Sequence, residues 1–126
     1  MKFLIDSSFF MLVGKADIFS ELRNEFGKPE LCTIDLVIKE MEKMSEDRGG
    51  KKSAYARLAL QIIKKEGVRI LKTSGSGNTD MKMADTAEKS GFVVCTQDKG
   101  LIRRLKKAGI RSVYLLQRNR KLAVVG

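Results

Sequence analysis

The chain contains no histidine and only two cysteines among its 126 residues. Histidine is the commonest general base in enzymes, so any catalysis must use carboxylates, lysine, hydroxyl groups or metal-bound water. Cys32 and Cys95 lie far apart in apolar runs and form no CxxC pair, which leaves thiol-based zinc sites and Cys–His catalysis without support. We expect both to be buried structural thiols in a reducing compartment.

Long hydrophobic runs are also missing. No segment approaches the roughly 20 apolar residues that span a bilayer. The opening MKFLID is too short for a signal-peptide core and runs into an acidic residue. We therefore expect a cytoplasmic protein with no membrane partner. The length and the hydrophobic share of 43% predict one globular domain over residues 1–126.

Acidic residues are scarce relative to basic ones. The chain has 25 Lys and Arg against 15 Asp and Glu, a formal net charge of +10. Such an excess favours polyanionic partners, because phosphates that are neutralised by basic side chains release condensed counterions. The alternative is a basic surface that only keeps the protein in solution. Of the two, we expect a nucleic-acid partner.

Short apolar runs alternate with amphipathic segments from end to end. The pattern predicts strands at 2–5, 31–33, 68–71, 92–95 and 113–116, with an edge strand at 122–125. It predicts helices over 9–13, 18–26, 33–44, 53–66, 79–90 and 99–108. Such alternation indicates one α/β domain, a parallel sheet wrapped by helices.

The sequence also predicts the buried face of one helix and the N-cap of another. In the helix over 53–66, the candidate core residues are Tyr55, Leu58, Leu60, Ile62 and Ile63. Thr79 follows a flexible Ser-Gly loop and is a suitable N-cap for the next helix.

Four acidic residues are placed to share one edge of the predicted sheet. Asp6 closes the first strand and Asp98 lies just beyond the strand over 92–95, at the carboxyl ends where open α/β sheets bind ligands. Asp80 opens a helix at that edge, and Glu40 lies on the helix after the second strand. Clustered carboxylates repel one another unless a cation intervenes, and Mg²⁺ or Mn²⁺ prefers oxygen ligands. The pattern therefore predicts a metal site.

Each acid also has a structural alternative. Asp80 complements a helix dipole, and Asp98 is a suitable N-cap. Glu40 can pair with a lysine on a solvated helix face. Asp6 is hardest to explain in this way, because an Asp after four largely apolar residues normally needs a partner or a ligand.

Three segments together resemble the PIN domain nucleases. They are FLIDSSFF near the start, VIKEMEKM in the early helix and NTDMKMADTAEKSGFVVCTQDKGL late in the chain. Each is weak alone, but their order across nearly the whole chain makes the match fairly specific. The resemblance implies a three-layer α/β/α sandwich with a central parallel sheet.

The resemblance also implies a set of site residues. It selects Glu40 over Glu42 and Asp80 over Asp85, so that the four acids would hold Mg²⁺ or Mn²⁺ directly or through water. Thr96 is similar to the hydroxyl residue that often precedes the last Asp of the family. Ser8 stands where many members carry Asn, a departure that retains a hydrogen-bonding side chain.

The implied activity is metal-assisted hydrolysis of RNA phosphodiester bonds. The phosphate contacts implied for a predicted basic helix and for the tail are Arg103, Arg104, Lys107, Arg118, Arg120 and Lys121. For the helix, an ordinary solvated face is an equally good interpretation.

Two branches of the family compete on the sequence. The C-terminal strand and basic segment resemble the archaeal and eukaryotic rRNA-processing type, which we favour and whose partner would be precursor rRNA. The second is the VapC-type toxin, whose partner would be an antitoxin. The resemblance also suggests a homodimer.

Two alternatives to a nuclease are a non-catalytic RNA-binding module on the same fold and a receiver-type signalling domain. The non-catalytic module would be expected to lack the acidic residues, and all four are present here. A receiver domain needs adjacent acidic residues at the first strand, and FLIDSS has only one.

Overall fold

The computed structural model covers residues 1–126 and shows a six-stranded sheet between two layers of helices. The strands are β1 (Lys2–Ile5), β2 (Glu30–Ile34), β3 (Arg69–Leu71), β4 (Val93–Cys95), β5 (Ser112–Leu116) and β6 (Lys121–Val125). The helices are α1 (Ser7–Phe10), α2 (Ile18–Phe26), α3 (Asp35–Glu46), α4 (Lys51–Lys65), α5 (Thr79–Ser90) and α6 (Lys99–Lys107), with a 3₁₀ turn at Met11–Gly14 after α1.

The strands lie in the order β3-β2-β1-β4-β5-β6. β1 is central and pairs in parallel with β2 and with β4, with Leu4 opposite both Cys32 and Val94. The chain first moves outward from β1 to β3 and then returns to β4 on the other side of β1. The reversal at β1 and β4 creates a switch point, and the carboxyl ends of these strands border its crevice.

The crossover connections place helices on both faces of this sheet. Parallel connections are right-handed, so the helices that follow β1 and β2 cover one face and those that follow β3 and β4 cover the other. The predicted three-layer α/β/α fold is confirmed. The last strand departs from the parallel pattern: β6 runs antiparallel to β5, because the turn over 117–120 is far too short for a crossover.

The core explains why the strand segments read as continuous apolar runs. Phe3, Leu4 and Ile5 of β1 are fully buried, as expected of a strand covered by helices on both faces. Cys32 and Cys95 are buried and unpaired, as predicted. Burial raises the pKa of the Cys95 thiol, which makes it a poor nucleophile.

Helix α4 turns a different face to the core from the one predicted. Ser53, Ala56, Ala59 and Ile63 are its buried residues, whereas Leu58 is 39% exposed. Of the predicted core set, Ile63 alone is fully covered. Small side chains on the buried face allow α4 to lie close against α3.

The start of α5 also differs by one residue from the prediction. Asn78 is the N-cap, and its side-chain oxygen accepts a hydrogen bond from the Met81 N–H at 2.9 Å. Thr79 is the first helical residue, so its hydroxyl is free for another contact described below. No helix in the structure has the length and apolar character to cross a bilayer.

Candidate active site

Asp6 lies at the switch point, held by two hydroxyl groups. It follows β1, and its backbone N–H continues the pairing with β4 by donating to the Cys95 carbonyl at 2.9 Å. Its carboxylate Oδ2 accepts hydrogen bonds from Ser8 Oγ and Thr96 Oγ1, both at 2.9 Å. The two hydroxyls are themselves 3.1 Å apart. Ser8 and Thr96, the two hydroxyl residues that the resemblance singled out, thus both contact Asp6.

The environment of Asp6 favours its neutral form. Only 5% of the residue is exposed. Burial raises the pKa of its carboxyl, the hydrogen bonds from Thr96 and Ser8 oppose that rise, and the negative charge of Glu40 adds to it. A cation at this position would reverse the balance, because it would favour the ionised carboxylate.

Asp98 combines two of the roles that the sequence left open. Its Oδ1 accepts from the backbone N–H groups of Gly100 at 2.8 Å and Leu101 at 3.2 Å, so it caps α6. The N–H of Asp98 donates to Thr96 Oγ1 at 3.1 Å, which ties it to the Asp6 network. The side chain is exposed at the carboxyl end of β4, and neither capping bond uses Oδ2.

Asp80 and Glu40 approach the same crevice from two other helices. Burial raises the pKa of the Asp80 carboxyl, and the negative charges of Asp6 and Asp98 raise it further, whereas Arg104 lowers it. Glu40 accepts hydrogen bonds from the Thr79 hydroxyl and, at 3.5 Å, from Ser7 Oγ. The four predicted acids therefore belong to one electrostatic neighbourhood, whereas Asp85 lies further along α5 beside Lys82 and Lys89.

The acids do not form a ready-made cation cage. No three acidic or cysteine side chains converge closely enough to hold an ion as they stand. The donor chemistry nevertheless fits a hard divalent cation, because the acids offer only oxygen ligands and Arg104 offsets only part of their mutual repulsion. Residues able to hold such an ion are Asp6, Glu40, Asp80 and Asp98.

The basic residues predicted to contact phosphate fall at different distances from this edge. Arg104 is near enough to Asp80 to lower the pKa of its carboxyl, and Arg103 lines a groove with Gln97. Lys107 ends α6, about 13 Å along the helix axis from Asp98. Arg118 and Arg120 lie in the exposed turn that follows β5, with Lys121 at the start of β6. Because β5 is parallel to β4, that turn lies at the same edge of the sheet as the carboxyl end of β4.

Several residues around the site were missed by the sequence reasoning. Gln97 joins β4 to β5 by accepting from the Leu115 N–H at 2.7 Å and donating to its carbonyl at 3.0 Å. Ser7 contacts Glu40 as described. Asp35 follows β2 just as Asp6 follows β1, which was a usable signal. Its oxygens, however, accept from the hydroxyl and N–H of Thr73 and from the Leu36 N–H.

Comparisons with known proteins agree with this fold. A family model described as a PIN like domain matches residues 3–118. Ribonuclease VapC9 of Archaeoglobus fulgidus is 34% identical over 119 residues, which cover 93% of this chain and 84% of that protein.

Two solved structures share the fold at low sequence identity. A domain of a functionally unknown protein from Methanocaldococcus jannaschii has a TM-score of 0.67 and 16% identity, covering 91% of each chain. PAE2754 from Pyrobaculum aerophilum has a TM-score of 0.57 and 18% identity, covering 82% of this chain and 79% of its own. The family match over most of the chain confirms the resemblance that the sequence motifs predicted: this chain belongs to the PIN domain nuclease family.

Proposed function

We propose that this protein is a metal-dependent endoribonuclease that hydrolyses RNA phosphodiester bonds. The observation that carries the proposal is the placement of Asp6, Asp80 and Asp98 within one another's electrostatic influence at the switch point of the sheet. The similarity to a named ribonuclease supports RNA as the substrate, and so does the net charge of +10.

The geometry supports the following roles for the residues of the site. Asp6, Glu40, Asp80 and Asp98 would hold Mg²⁺ or Mn²⁺, which when bound supplies Lewis-acid stabilisation and a water of lowered pKa. Ser8 and Thr96 orient Asp6 by donating to its Oδ2. Thr79 and Ser7 fix Glu40 in the same manner. Arg104 beside Asp80, and the turn with Arg118 and Arg120, are placed to bind the phosphates that flank the scissile bond.

Cleavage of labelled RNA in Mn²⁺ or Mg²⁺ tests the proposal directly. We expect Asp6→Asn and Asp98→Asn to lower kcat/KM at least about 100-fold, since loss of even an outer-shell partner costs about 10- to 100-fold. Asp85→Asn removes a carboxylate from the exposed side of α5 and should cleave like wild type. Equal rates in all four proteins, or no cleavage by wild type, would refute the proposal.

The branch of the family is part of the same proposal. The name of the relative, Ribonuclease VapC9, supports a VapC-type enzyme with an antitoxin partner. The β5–β6 hairpin with its basic turn is the feature that favours the rRNA-processing type instead. A small antitoxin-like reading frame directly upstream of the gene would decide for the first, and specific cleavage of precursor rRNA for the second. Either enzyme would act in the cytoplasm.

A further inference from the structure

A cleft of about 470 Å³ opens beside the carboxylates. Three residues already placed in the site, Ser7, Ser8 and Glu40, line part of it. Lys15 at the end of the 3₁₀ turn, and Lys52 and Tyr55 in the first turns of α4, line it as well. The cleft is therefore continuous with the candidate active site, but most of its residues have no role in the chemistry proposed above.

The two lysines give this cleft a positive rim. Both are exposed, and neither is neutralised, because the one ion pair in the structure joins Arg23 to Glu66. An ammonium group next to a carboxylate site attracts a polyanion that the carboxylates alone would repel. The phosphate groups of a nucleic acid are the polyanion that suits a nuclease site.

Tyr55 adds an aromatic surface to the lining that contains those lysines. It is half-buried, and its ring packs directly on Gly14. A Cβ at position 14 would lie 2.2 Å from Tyr55 Cε1, so only glycine leaves room for the ring in this position. Met11 and Met44 complete an apolar lining beside it. Aromatic rings next to basic groups bind single-stranded nucleic acid by stacking on bases with little sequence preference.

We propose that this cleft binds a nucleotide of single-stranded RNA adjacent to the cleaved bond, with its base against Tyr55 and its flanking phosphates on Lys15 and Lys52. The assignment rests on the proposed ribonuclease function and adds a subsite to it.

Binding of a fluorescein-labelled 12-nucleotide oligouridylate tests the subsite apart from cleavage. The background is Asp98→Asn in Mg²⁺, because Asn still caps α6 and cleavage is suppressed. We expect Lys15→Gln with Lys52→Gln to raise Kd about tenfold and to reduce the slope of log K against log salt by about 1.4, since each phosphate contact on a single strand contributes about 0.7.

Matched variants separate this effect from general charge and from folding. Lys64→Gln with Lys65→Gln removes the same charge from the last turn of α4, about 18 Å from Lys52 along the helix axis, and should leave Kd within about twofold. Tyr55→Leu should weaken binding about tenfold, whereas Tyr55→Phe keeps the ring and should bind normally. Tm measurements confirm that each variant is folded.

Two results would overturn the subsite. One is an equal loss of affinity in both lysine pairs, and the other is equal binding by the Leu and Phe variants at position 55. Neither result depends on whether wild type cleaves RNA, so failure of the subsite and failure of the proposed function are distinguishable.

Discussion

Asp6 is a buried carboxylate at the C-terminal end of the central strand. Its surroundings supply two hydroxyl donors and no cation from the protein, and burial raises the pKa of its carboxyl. We therefore expect the ionised form of Asp6 to destabilise the metal-free fold, because burial disfavours its charge. Binding sites often carry such a cost in stability.

Replacement of Asp6 by Asn should therefore stabilise the metal-free protein. A carboxyl whose pKa is raised on folding contributes most to stability below its unfolded pKa of about 3.9, and that contribution is lost as pH rises through the folded value. In EDTA at pH 7 we expect Asp6→Asn to raise Tm by a few degrees, the effect of about 1 kcal/mol. The gain should shrink as pH falls towards about 4.

Thermal unfolding followed by circular dichroism at both pH values measures this difference. Asp85→Asn on the exposed side of α5 is the control, and its free energy of unfolding should match that of wild type within about 0.5 kcal/mol. A lower Tm for Asp6→Asn at pH 7 would contradict the argument.

Sequence reasoning at this scale selected four acids that lie in one neighbourhood of the structure, but it gave no reason to set Asp35 apart from Asp6. Asp6 and Asp35 each follow an apolar strand, and nothing local distinguishes them. The difference arises from Thr73, which is 38 positions from Asp35 in the chain and donates to both of its oxygens. These bonds lower the pKa of Asp35, the hydroxyl of Thr73 having the largest effect. A contact between distant segments is visible only in the fold.

At the scale of elements, α6 depends on the residue that precedes it. The Oδ1 of Asp98 accepts two of the N–H groups that have no partner within the helix. The same carboxylate is proposed to hold a metal ion, so stability and catalysis share one side chain.

Two substitutions at position 98 separate those roles. Asp98→Ala removes the cap and should lower the free energy of unfolding by about 1 kcal/mol. Asp98→Asn keeps a capping oxygen and should unfold within about 0.5 kcal/mol of wild type, while both variants lose cleavage. Urea unfolding of both variants and wild type in EDTA measures the difference in free energy of unfolding. Equal stability of the Ala and Asn variants would show that the cap contributes nothing.

The order and type of the elements were predictable, but the orientation of α4 was not. The sequence pattern favoured Leu58 as a core residue, yet Ala56 and Ala59 are buried and Leu58 is exposed. Close packing of two helices selects small residues at the contact, and hydrophobicity patterns give those residues little weight. For the same reason Tyr55, expected in the core, became the wall of a cleft.

At the scale of the whole molecule, positive charge surrounds an acidic centre. The single ion pair between Arg23 and Glu66 leaves most Lys and Arg side chains unpaired. The turn between β5 and β6 brings Arg118 and Arg120 to the edge of the sheet at the carboxyl end of β4, because β6 reverses direction there. Arg120 in this turn adopts a left-handed backbone conformation with φ of 57°.

Removal of the charges in this turn should weaken RNA binding more than removal of equal charge elsewhere. Arg118→Gln, Arg120→Gln and Lys121→Gln together should reduce the salt slope by about 2, at about 0.7 for each phosphate contact. A triple variant at the opposite edge, Lys28→Gln, Lys65→Gln and Arg111→Gln, lowers net charge equally. Measuring the affinity of both triple variants for RNA between about 50 and 200 mM salt gives the slope of log K against log salt for each. Indistinguishable slopes would exclude the turn as a phosphate contact.

The bond between Asp6 and Thr96 also determines when the proposed activity can begin. These residues are 90 positions apart in the chain, and β1 and β4 must pair before the hydroxyl reaches the carboxylate. At a synthesis rate of about 5–20 residues per second, Thr96 is added on the order of 5–20 s after Asp6. A nascent chain that has not yet reached Thr96 therefore lacks one of the two hydroxyl groups that hold Asp6.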